Sequence, residues 1–210
     1  MINHNPYPLI SILGGTFDPC HLGHLHILNC IQETFHPEIN AVLPCKNPIH
    51  KTNTSSIEHR LAMLKIMLKD TPFSIDPTEI DSNKPNETIY TVSALRKKWP
   101  NHSILWLLGD DVFSTIMGWK DWQEILQHVH LIILERIQPN YNNDLLNYLK
   151  QHSQAEASVY QNPYGNIIQA SWRHPEISAT RIRSNRQKNH PTPQLTKGVA
   201  AYIQQQQLYK

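Results

Sequence analysis

Two histidines, His21 and His24, lie three residues apart just after a turn that contains Gly14 and Gly15. Side chains at this spacing project from the same face of a helical turn. The glycines let the backbone approach a ligand closely, and the N–H groups at a helix start attract anions. Two imidazoles beside such groups predict a polyphosphate site. The pair alone is weak support, because the chain contains 13 histidines.

A second group of hydrogen-bond donors lies near the C-terminus. Ser178 stands at the predicted N-cap of a helix, and Thr180 adds a second hydroxyl. Arg183 follows one turn later and offers a planar fork that matches phosphate oxygens. Helix capping explains such hydroxyls in most proteins. The segment therefore indicates an anion site only in combination with the histidine pair.

Apolar runs that alternate with helical patterns must position these groups. Strands are predicted at Leu9–Leu13, Ile39–Leu43, Ser103–Leu108 and His128–Leu134, with short pieces at Phe73–Ile75 and Thr78–Ile80. Helices are predicted from about Leu22 to Phe35, at Ile57–Asp70 and Thr88–Trp99, and from Ser178 through Arg186, whereas Asn140–Gln154 is polar and shows no clear pattern. This order predicts an α/β fold, a doubly wound (Rossmann-like) parallel sheet with helices on both faces.

Ligands of such sheets bind beyond the carboxyl ends of the strands, where the strand order reverses. His21 follows the first predicted strand, and Lys46 and His50 follow the second. Asp111 follows the strand that contains Trp106. The candidate residues thus lie where this topology predicts a ligand.

Composition limits the function further. Lys plus Arg is 19 and Asp plus Glu is 17, so the formal net charge of +2 disfavours a dedicated nucleic-acid binder. No apolar run reaches membrane-spanning length, and no secretory signal pattern begins the chain. Cys20, Cys30 and Cys45 lack CxxC spacing, which favours reduced thiols. We expect one domain over residues 1–210 in the cytoplasm, with no membrane or nucleic-acid partner.

The segment from Gly14 to His24 resembles the GTFDPxHxGH signature of the HxGH nucleotidyltransferase superfamily. The segment from Ile177 to Arg183, ISATRIR, resembles the ISSTxxR element of the same superfamily. This resemblance implies a fold of the nucleotidyltransferase type. It also implies that the two segments hold opposite sides of the ATP triphosphate.

Three further segments resemble those of the nicotinate-nucleotide adenylyltransferase family. They are LPCKNPIHK at 43–51, similar to a PxxxPPHK loop, YTVSAL at 90–95, similar to a YTxxTL helix start, and Gly109-Asp110-Asp111 with the downstream Trp119. The chain departs from the family pattern at Ile49, where proline is usual, at Ala94, where threonine is usual, and after Arg136, where Pro-Gly usually follows.

The resemblance implies transfer of the adenylyl group of ATP to nicotinate mononucleotide, a step of NAD biosynthesis. The mononucleotide phosphate would attack the ATP α-phosphate in line and give nicotinate adenine dinucleotide and pyrophosphate. The attacking oxygen is already an anion, so alignment and charge neutralisation matter more than a strong base. The expected catalytic residues are His21, His24 and Arg183.

The expected binding residues fall into two sets. Those for ATP are Gly14, Gly15, Thr16, Phe17, His21, His24, Asp111, Ser178, Thr180 and Arg183. Those for nicotinate mononucleotide are Thr16, Lys46, His50, Thr91, Trp119 and Arg136. Trp119 would stack on the pyridine ring, Thr91 and nearby N–H groups would hold the carboxylate, and Asp111 would bind the adenosine ribose. Mg²⁺ would arrive with ATP, and we expect no metal site formed by the protein.

Other activities stay open at this point. The acceptor could instead be nicotinamide mononucleotide or phosphopantetheine. A class I aminoacyl-tRNA synthetase fragment is disfavoured because the chain has no KMSKS-like segment and no basic surface. A non-catalytic nucleotide sensor is disfavoured because binding alone does not require both the histidine pair and Arg183. The sequence leaves the oligomeric state undetermined.

Overall fold

The computed structural model describes residues 6–48, 53–135, 140–172, 175 and 177–210. Within these residues one parallel sheet has the strand order β3-β2-β1-β4-β5-β6. The strands are β1 (Leu9–Gly15), β2 (Ile39–Pro44), β3 (Ser74–Ile75), β4 (Ser103–Gly109), β5 (His130–Leu134) and β6 (Ile167–Ala170). The order reverses between β1 and β4, which confirms the predicted doubly wound sheet.

Helices connect the strands. They are α1 (Leu22–Phe35), α2 (Ile57–Leu68), α3 (Thr88–Lys98), α4 (Asp110–Phe113), α5 (Asn143–His152), α6 (Ala179–Gln187) and α7 (Lys197–Gln205). Three short 3₁₀ helices lie at Ile116–Gly118, Trp122–Gln127 and Glu156–Tyr160. No helix among the described residues has the length and apolar character needed to span a bilayer.

The sheet is buried on both faces, which explains why its strands are continuous apolar runs. Leu9 and Leu13 of β1 pack in one core with apolar side chains of α1, α2 and α7. Ile10 and Ile12 point to the other face and pack with side chains of α3 and α5. The alternating strand side chains therefore build two cores, and the two helical layers fix the strand ends that carry the site.

The prediction of a strand at Thr78–Ile80 is wrong, because this segment forms a turn. Asp76 accepts a hydrogen bond from the Thr78 N–H (2.9 Å), and the Asp81 N–H donates to the Pro77 carbonyl (2.9 Å). An aspartate that bonds the backbone two residues on competes with strand pairing.

Several elements went unrecognised in the sequence: α4, α7, the 3₁₀ helices, α5 and β6. α5 lies in the polar stretch 140–154, where Asn142 caps the helix by accepting from the Leu145 N–H (2.8 Å). β6 is a four-residue edge strand that pairs with β5. β5 itself begins at His130, two residues later than predicted, and α2 ends at Leu68 rather than Asp70.

Candidate active site

Gly15 at the end of β1 and Gly23 at the start of α1 are packed closely against the side chains of the turn between them. A Cβ on Gly15 would lie 3.1 Å from the Phe17 ring, and one on Gly23 would lie 3.0 Å from Nδ1 of His21. Phe17 is buried, and its backbone has a positive φ of 53°. The glycines thus let Phe17 and His21 sit against the main chain at the end of β1.

The two histidine rings lie against one another. His21 occupies the N-cap of α1, and its ring stacks on that of His24 with centroids 3.8 Å apart and planes at 21°. The edge of Phe17 packs against His24 at 4.8 Å. The structure thus places both imidazoles on the same face of the turn, as their spacing predicts.

A hydrogen bond fixes the orientation of the His24 ring. The backbone N–H of His21 donates to Nδ1 of His24 at 3.1 Å. Because Nδ1 is the acceptor, the neutral ring carries its proton on Nε2. His24 is half-buried and His21 is almost fully buried. His24 is therefore held as an Nε2–H donor.

The second motif comes from the other end of the chain and meets the first through Arg183 on α6. Its Nη1 donates to the Asp18 carbonyl at 2.7 Å, and its Nη2 donates to the Thr180 hydroxyl at 3.3 Å. Ser178 is the N-cap residue and is exposed, and within the described part of α6 its hydroxyl caps no backbone N–H. Asp18 belongs to the first motif, so this contact joins the two predicted phosphate-binding segments.

The two aspartates at the end of β4 differ in exposure. Asp110 is buried and accepts a hydrogen bond from the Asp111 N–H at 2.8 Å. Asp111 is exposed on the first turn of α4. Because Asp110 bonds the local backbone, the exposed carboxylate of Asp111 is the one turned towards solvent. β4 is the neighbour of β1, so Asp111 lies at the point where the strand order reverses.

Two of the predicted mononucleotide residues, Trp119 and Thr91, lie in segments that a hydrogen bond connects. Trp119 is half-buried, and its Nε1 donates to the Thr115 hydroxyl at 3.2 Å. The adjacent Lys120 donates to the Tyr90 hydroxyl at 2.7 Å. This bond connects the Trp119 segment with the start of α3, where Thr91 follows Tyr90.

Thr91 does not present its hydroxyl as a free donor. It is buried, and its Oγ1 donates to Oε1 of Glu79 at 2.9 Å. Burial raises the pKa of the Glu79 carboxyl above its ordinary value. Both side chains line a cleft of about 180 Å³ that also contains Lys84 and Tyr90. The Thr91 N–H in turn donates to the Glu87 carbonyl at 3.5 Å, so both polar groups of Thr91 near the cleft have partners within the protein.

Lys46 follows β2, and its Nζ donates to the Ser82 carbonyl at 3.0 Å. The side chain is half-buried, so it bridges the loop after β2 and the loop before α3. His50 and Arg136, which are also predicted to bind the mononucleotide, lie outside the described residues.

The three thiols are poor candidates for nucleophiles. Burial raises the pKa of Cys20 to about 12 and that of Cys45 to about 11, so neither forms a thiolate at neutral pH. In the part of the chain that the structure describes, no three His, Cys, Asp or Glu side chains are grouped so that they could hold a metal ion.

Sequence reasoning missed Arg60 and Tyr209. Arg60 is 1% exposed and makes its hydrogen bonds with backbone carbonyls around the site. Tyr209 donates its hydroxyl to Asp18. The burial of Arg60 could have been predicted from the sequence. It stands three, four and seven residues before Met63, Leu64 and Met67, which is the spacing of residues on one buried helix face. Tyr209 is far from Asp18 in the sequence and offers no such signal.

The family comparisons agree with this geometry. The family model described as cytidylyltransferase-like matches residues 12–185. The chain is 33% identical to a probable nicotinate-nucleotide adenylyltransferase of Pseudoalteromonas atlantica, over 99% of this chain and 97% of the relative. It is 35% identical to the protein of the same description in Aeromonas hydrophila, over 97% of this chain and 98% of the relative.

A solved structure supports the fold. Nicotinic acid mononucleotide adenylyltransferase of Plasmodium falciparum, in complex with NaAD, superposes with a TM-score of 0.75 at 18% identity and covers 97% of this chain and 98% of its own. The curated relatives match at higher identity and over nearly the full length. The chain therefore belongs to the nicotinate-nucleotide adenylyltransferase family.

Proposed function

We propose that this protein transfers the adenylyl group of ATP to nicotinate mononucleotide, with nicotinate adenine dinucleotide and pyrophosphate as products, as a step of NAD biosynthesis. The observation that carries the proposal is the meeting of two phosphate-binding motifs at the end of β1. There the stacked rings of His21 and His24 and the guanidinium of Arg183 converge on the turn that contains Asp18.

This arrangement suits displacement at the ATP α-phosphate. The mononucleotide phosphate is already an anion, so no residue needs to remove a proton from it. The protein must align two anions that repel each other and neutralise the charge that develops on the leaving pyrophosphate. The Nε2–H of His24 and the ring of His21 would donate to the ATP phosphates. Arg183 would bind the β- and γ-phosphates, assisted by Ser178 and Thr180.

The remaining contacts would orient the two substrates. The backbone of Gly14, Gly15 and Phe17 would line the phosphates, Thr16 would lie between the two substrates, and Asp111 would accept from the ribose hydroxyls. Trp119 would stack on the pyridine ring. N–H groups beside Thr91 would bind its carboxylate, Lys46 and His50 would bind the mononucleotide phosphate, and Arg136 would also contact the mononucleotide.

Mg²⁺ is proposed to accompany ATP. Its preferred ligands are oxygens, and in phosphoryl-transfer sites it keeps water and substrate phosphate in its shell. When bound, the ion would neutralise charge on the ATP phosphates.

We also propose that the chain works as one domain in the cytoplasm. The three cysteines are free, which supports a reducing compartment.

The test is pyrophosphate release with ATP and Mg²⁺, offered nicotinate mononucleotide, nicotinamide mononucleotide or phosphopantetheine in parallel. We expect release with nicotinate mononucleotide and a dinucleotide of the corresponding mass. Release with phosphopantetheine alone would retain the ATP site and overturn the acceptor. Binding of ATP without release with any of the three would make the protein a nucleotide sensor.

A further inference from the structure

Arg60 carries a charge into the protein interior. The residue lies in the first turns of α2 and is 1% exposed. A buried guanidinium is costly unless hydrogen bonds replace its lost water. Here Nε donates to the Ser55 carbonyl at 3.1 Å, and the two terminal nitrogens donate to three further carbonyls. These four acceptors are all backbone oxygens, so the Arg60 side chain holds main chain in place.

Those three carbonyls belong to two different loops. Nη1 donates to Thr16 at 2.9 Å and to Cys45 at 2.7 Å, and Nη2 donates to Lys46 at 2.9 Å. Thr16 follows β1 in the ATP motif, whereas Cys45 and Lys46 follow β2 in the predicted mononucleotide loop. The Cys45 N–H also donates to the Gly15 carbonyl at 2.9 Å. One planar guanidinium therefore connects the loop after β1 with the loop after β2 by hydrogen bonds.

A buried carboxylate completes the arrangement. Asp18 is 3% exposed and accepts a hydrogen bond from the Ser55 N–H at 3.2 Å, while the Ser55 carbonyl accepts from Arg60. Asp18 also accepts from the Tyr209 hydroxyl, and its carbonyl accepts from Arg183. Burial lowers the pKa of Arg60, and the negative charge of Asp18 opposes that shift. Asp18 and Arg60 thus belong to one hydrogen-bonded cluster, connected through the backbone of Ser55.

We propose that Arg60 is a positioning residue for adenylyl transfer. It touches neither substrate, and it sets the distance between the Thr16 and Lys46 loops so that the mononucleotide phosphate meets the ATP α-phosphate. This role rests on the proposed function, because that function places the ATP phosphates at the loop after β1 and the mononucleotide phosphate at the loop after β2. A lysine at position 60 keeps the charge but offers a single nitrogen, which cannot reach all the carbonyls that the planar fork reaches.

Arg96 provides a matched control. This arginine of α3 also donates to backbone carbonyls, among them those of His102, His128 and Pro163, each at 2.7 Å from one of its nitrogens. His102 and His128 precede β4 and β5, so Arg96 binds the amino ends of the strands, opposite the site. Arg60→Lys and Arg96→Lys each remove hydrogen bonds between a guanidinium and backbone carbonyls. Those of Arg60 lie at the carboxyl ends of the strands, and those of Arg96 lie at the amino ends.

The first measurement compares the kinetics of the two variants with those of the wild type. Displacement of a bound group by about 1 Å costs on the order of 100-fold in rate, so we expect Arg60→Lys to lower kcat by about 10- to 100-fold. We expect Arg96→Lys to lose similar stability and keep kcat within about twofold. Equal kcat values for both variants would overturn the positioning role.

The second measurement needs no substrate. Exchange of the Cys45 N–H, followed by NMR, reports on its bond with Gly15 between the two loops. We expect faster exchange in Arg60→Lys and wild-type exchange in Arg96→Lys, and unchanged exchange in Arg60→Lys would overturn the proposal. Absence of turnover by the wild type would refute the proposed function, whereas the exchange result would stand independently.

If Arg60→Lys does not fold, Tyr209→Phe is the variant that tests the same cluster. It removes the hydroxyl that binds Asp18 and leaves Arg60 in place. We expect faster exchange of the Ser55 N–H, which is bonded to Asp18, and a smaller loss in kcat. Wild-type exchange and kcat in this variant would overturn the role of the cluster.

Discussion

The ring of His24 is held in one orientation by its contacts with His21 and Phe17. Because Nε2 carries the proton, His24→Ala removes a preorganised donor to the ATP phosphates. We expect kcat to fall by about 100- to 1,000-fold, with a modest loss of ATP affinity. Pyrophosphate release gives the rate, and calorimetry gives ATP binding.

His26→Ala is the control for this prediction. His26 lies on the same helix, is half-buried, and contacts Cys30 at 3.5 Å between Nε2 and Sγ. We expect its kcat to stay near the wild-type value. A His24→Ala enzyme that turns over as fast as His26→Ala would exclude the assigned role.

Trp119 donates a hydrogen bond to Thr115, and its side chain is partly buried. Trp119→Ala removes the stacking surface, so KM for the mononucleotide should rise by about tenfold while KM for ATP stays unchanged. Trp119→Phe retains an aromatic face and should lose less. Steady-state kinetics with each substrate varied in turn distinguish these outcomes, and a rise in KM for ATP alone would refute stacking.

Residue type and spacing were enough to predict which histidines lie together, because a helical turn places positions three apart on one face. They were not enough for Thr91, whose hydroxyl binds Glu79, since a side chain twelve positions away has no periodic relation to it. Arg60 and Tyr209 act through contacts between distant segments, and such contacts exist only once the sheet is assembled.

At the scale of elements, the helix starts differ in what their N-cap side chains do. The Asn142 side chain accepts from the Leu145 N–H, whereas Ser178 makes no capping bond in the described part of α6. We expect Asn142→Ala to lower the free energy of unfolding by about 1 kcal/mol. Ser178→Ala should change it by less than about 0.5 kcal/mol and raise KM for ATP.

Urea denaturation of both variants tests the stability part, and kinetics with varied ATP test the binding part. A large stability loss in Ser178→Ala, without a change in KM for ATP, would assign Ser178 to folding alone.

The bounds of β1 and α1 were readable in advance because an uninterrupted apolar run ends at two glycines and a helical pattern follows. β6 was not readable, because four residues are too few to show a period and the strand exists by pairing with β5. The turn at Thr78–Ile80 depended on one side chain, Asp76, whose bond with the Thr78 N–H overrides local strand propensity.

For the whole molecule, the strand order decides where chemistry is possible. β1 and β4 are neighbours in the sheet, although α1, α2 and α3 separate them in the chain. The turn after β1 and Asp111 after β4 lie beyond the carboxyl ends of these two strands. The C-terminal motif contacts the same turn through the hydrogen bond between Arg183 and Asp18. The sequence could predict this meeting of distant segments from the alternation of strands and helices, whereas the fastening of the loops by Arg60 required the structure.

The stability of the whole molecule should depend on pH through His130, which is fully buried at the start of β5. Its Nδ1 accepts from the Asn166 N–H at 3.1 Å, so Nε2 carries the proton and donates to the Asn162 carbonyl at 2.8 Å. Burial lowers its pKa from the ordinary value of 6.5 to about 4. Between these values the unfolded chain binds a proton that the folded chain does not, so acid favours unfolding. The contribution of His130 is complete above pH 6.5, and as the pH falls towards 4 about 3 kcal/mol should be lost. Urea denaturation between pH 7.5 and pH 4.5 measures this slope, and His130→Gln, which cannot titrate, should show a shallower one. Since the other titrating groups are common to both proteins, equal slopes would show that folding does not lower the pKa of His130.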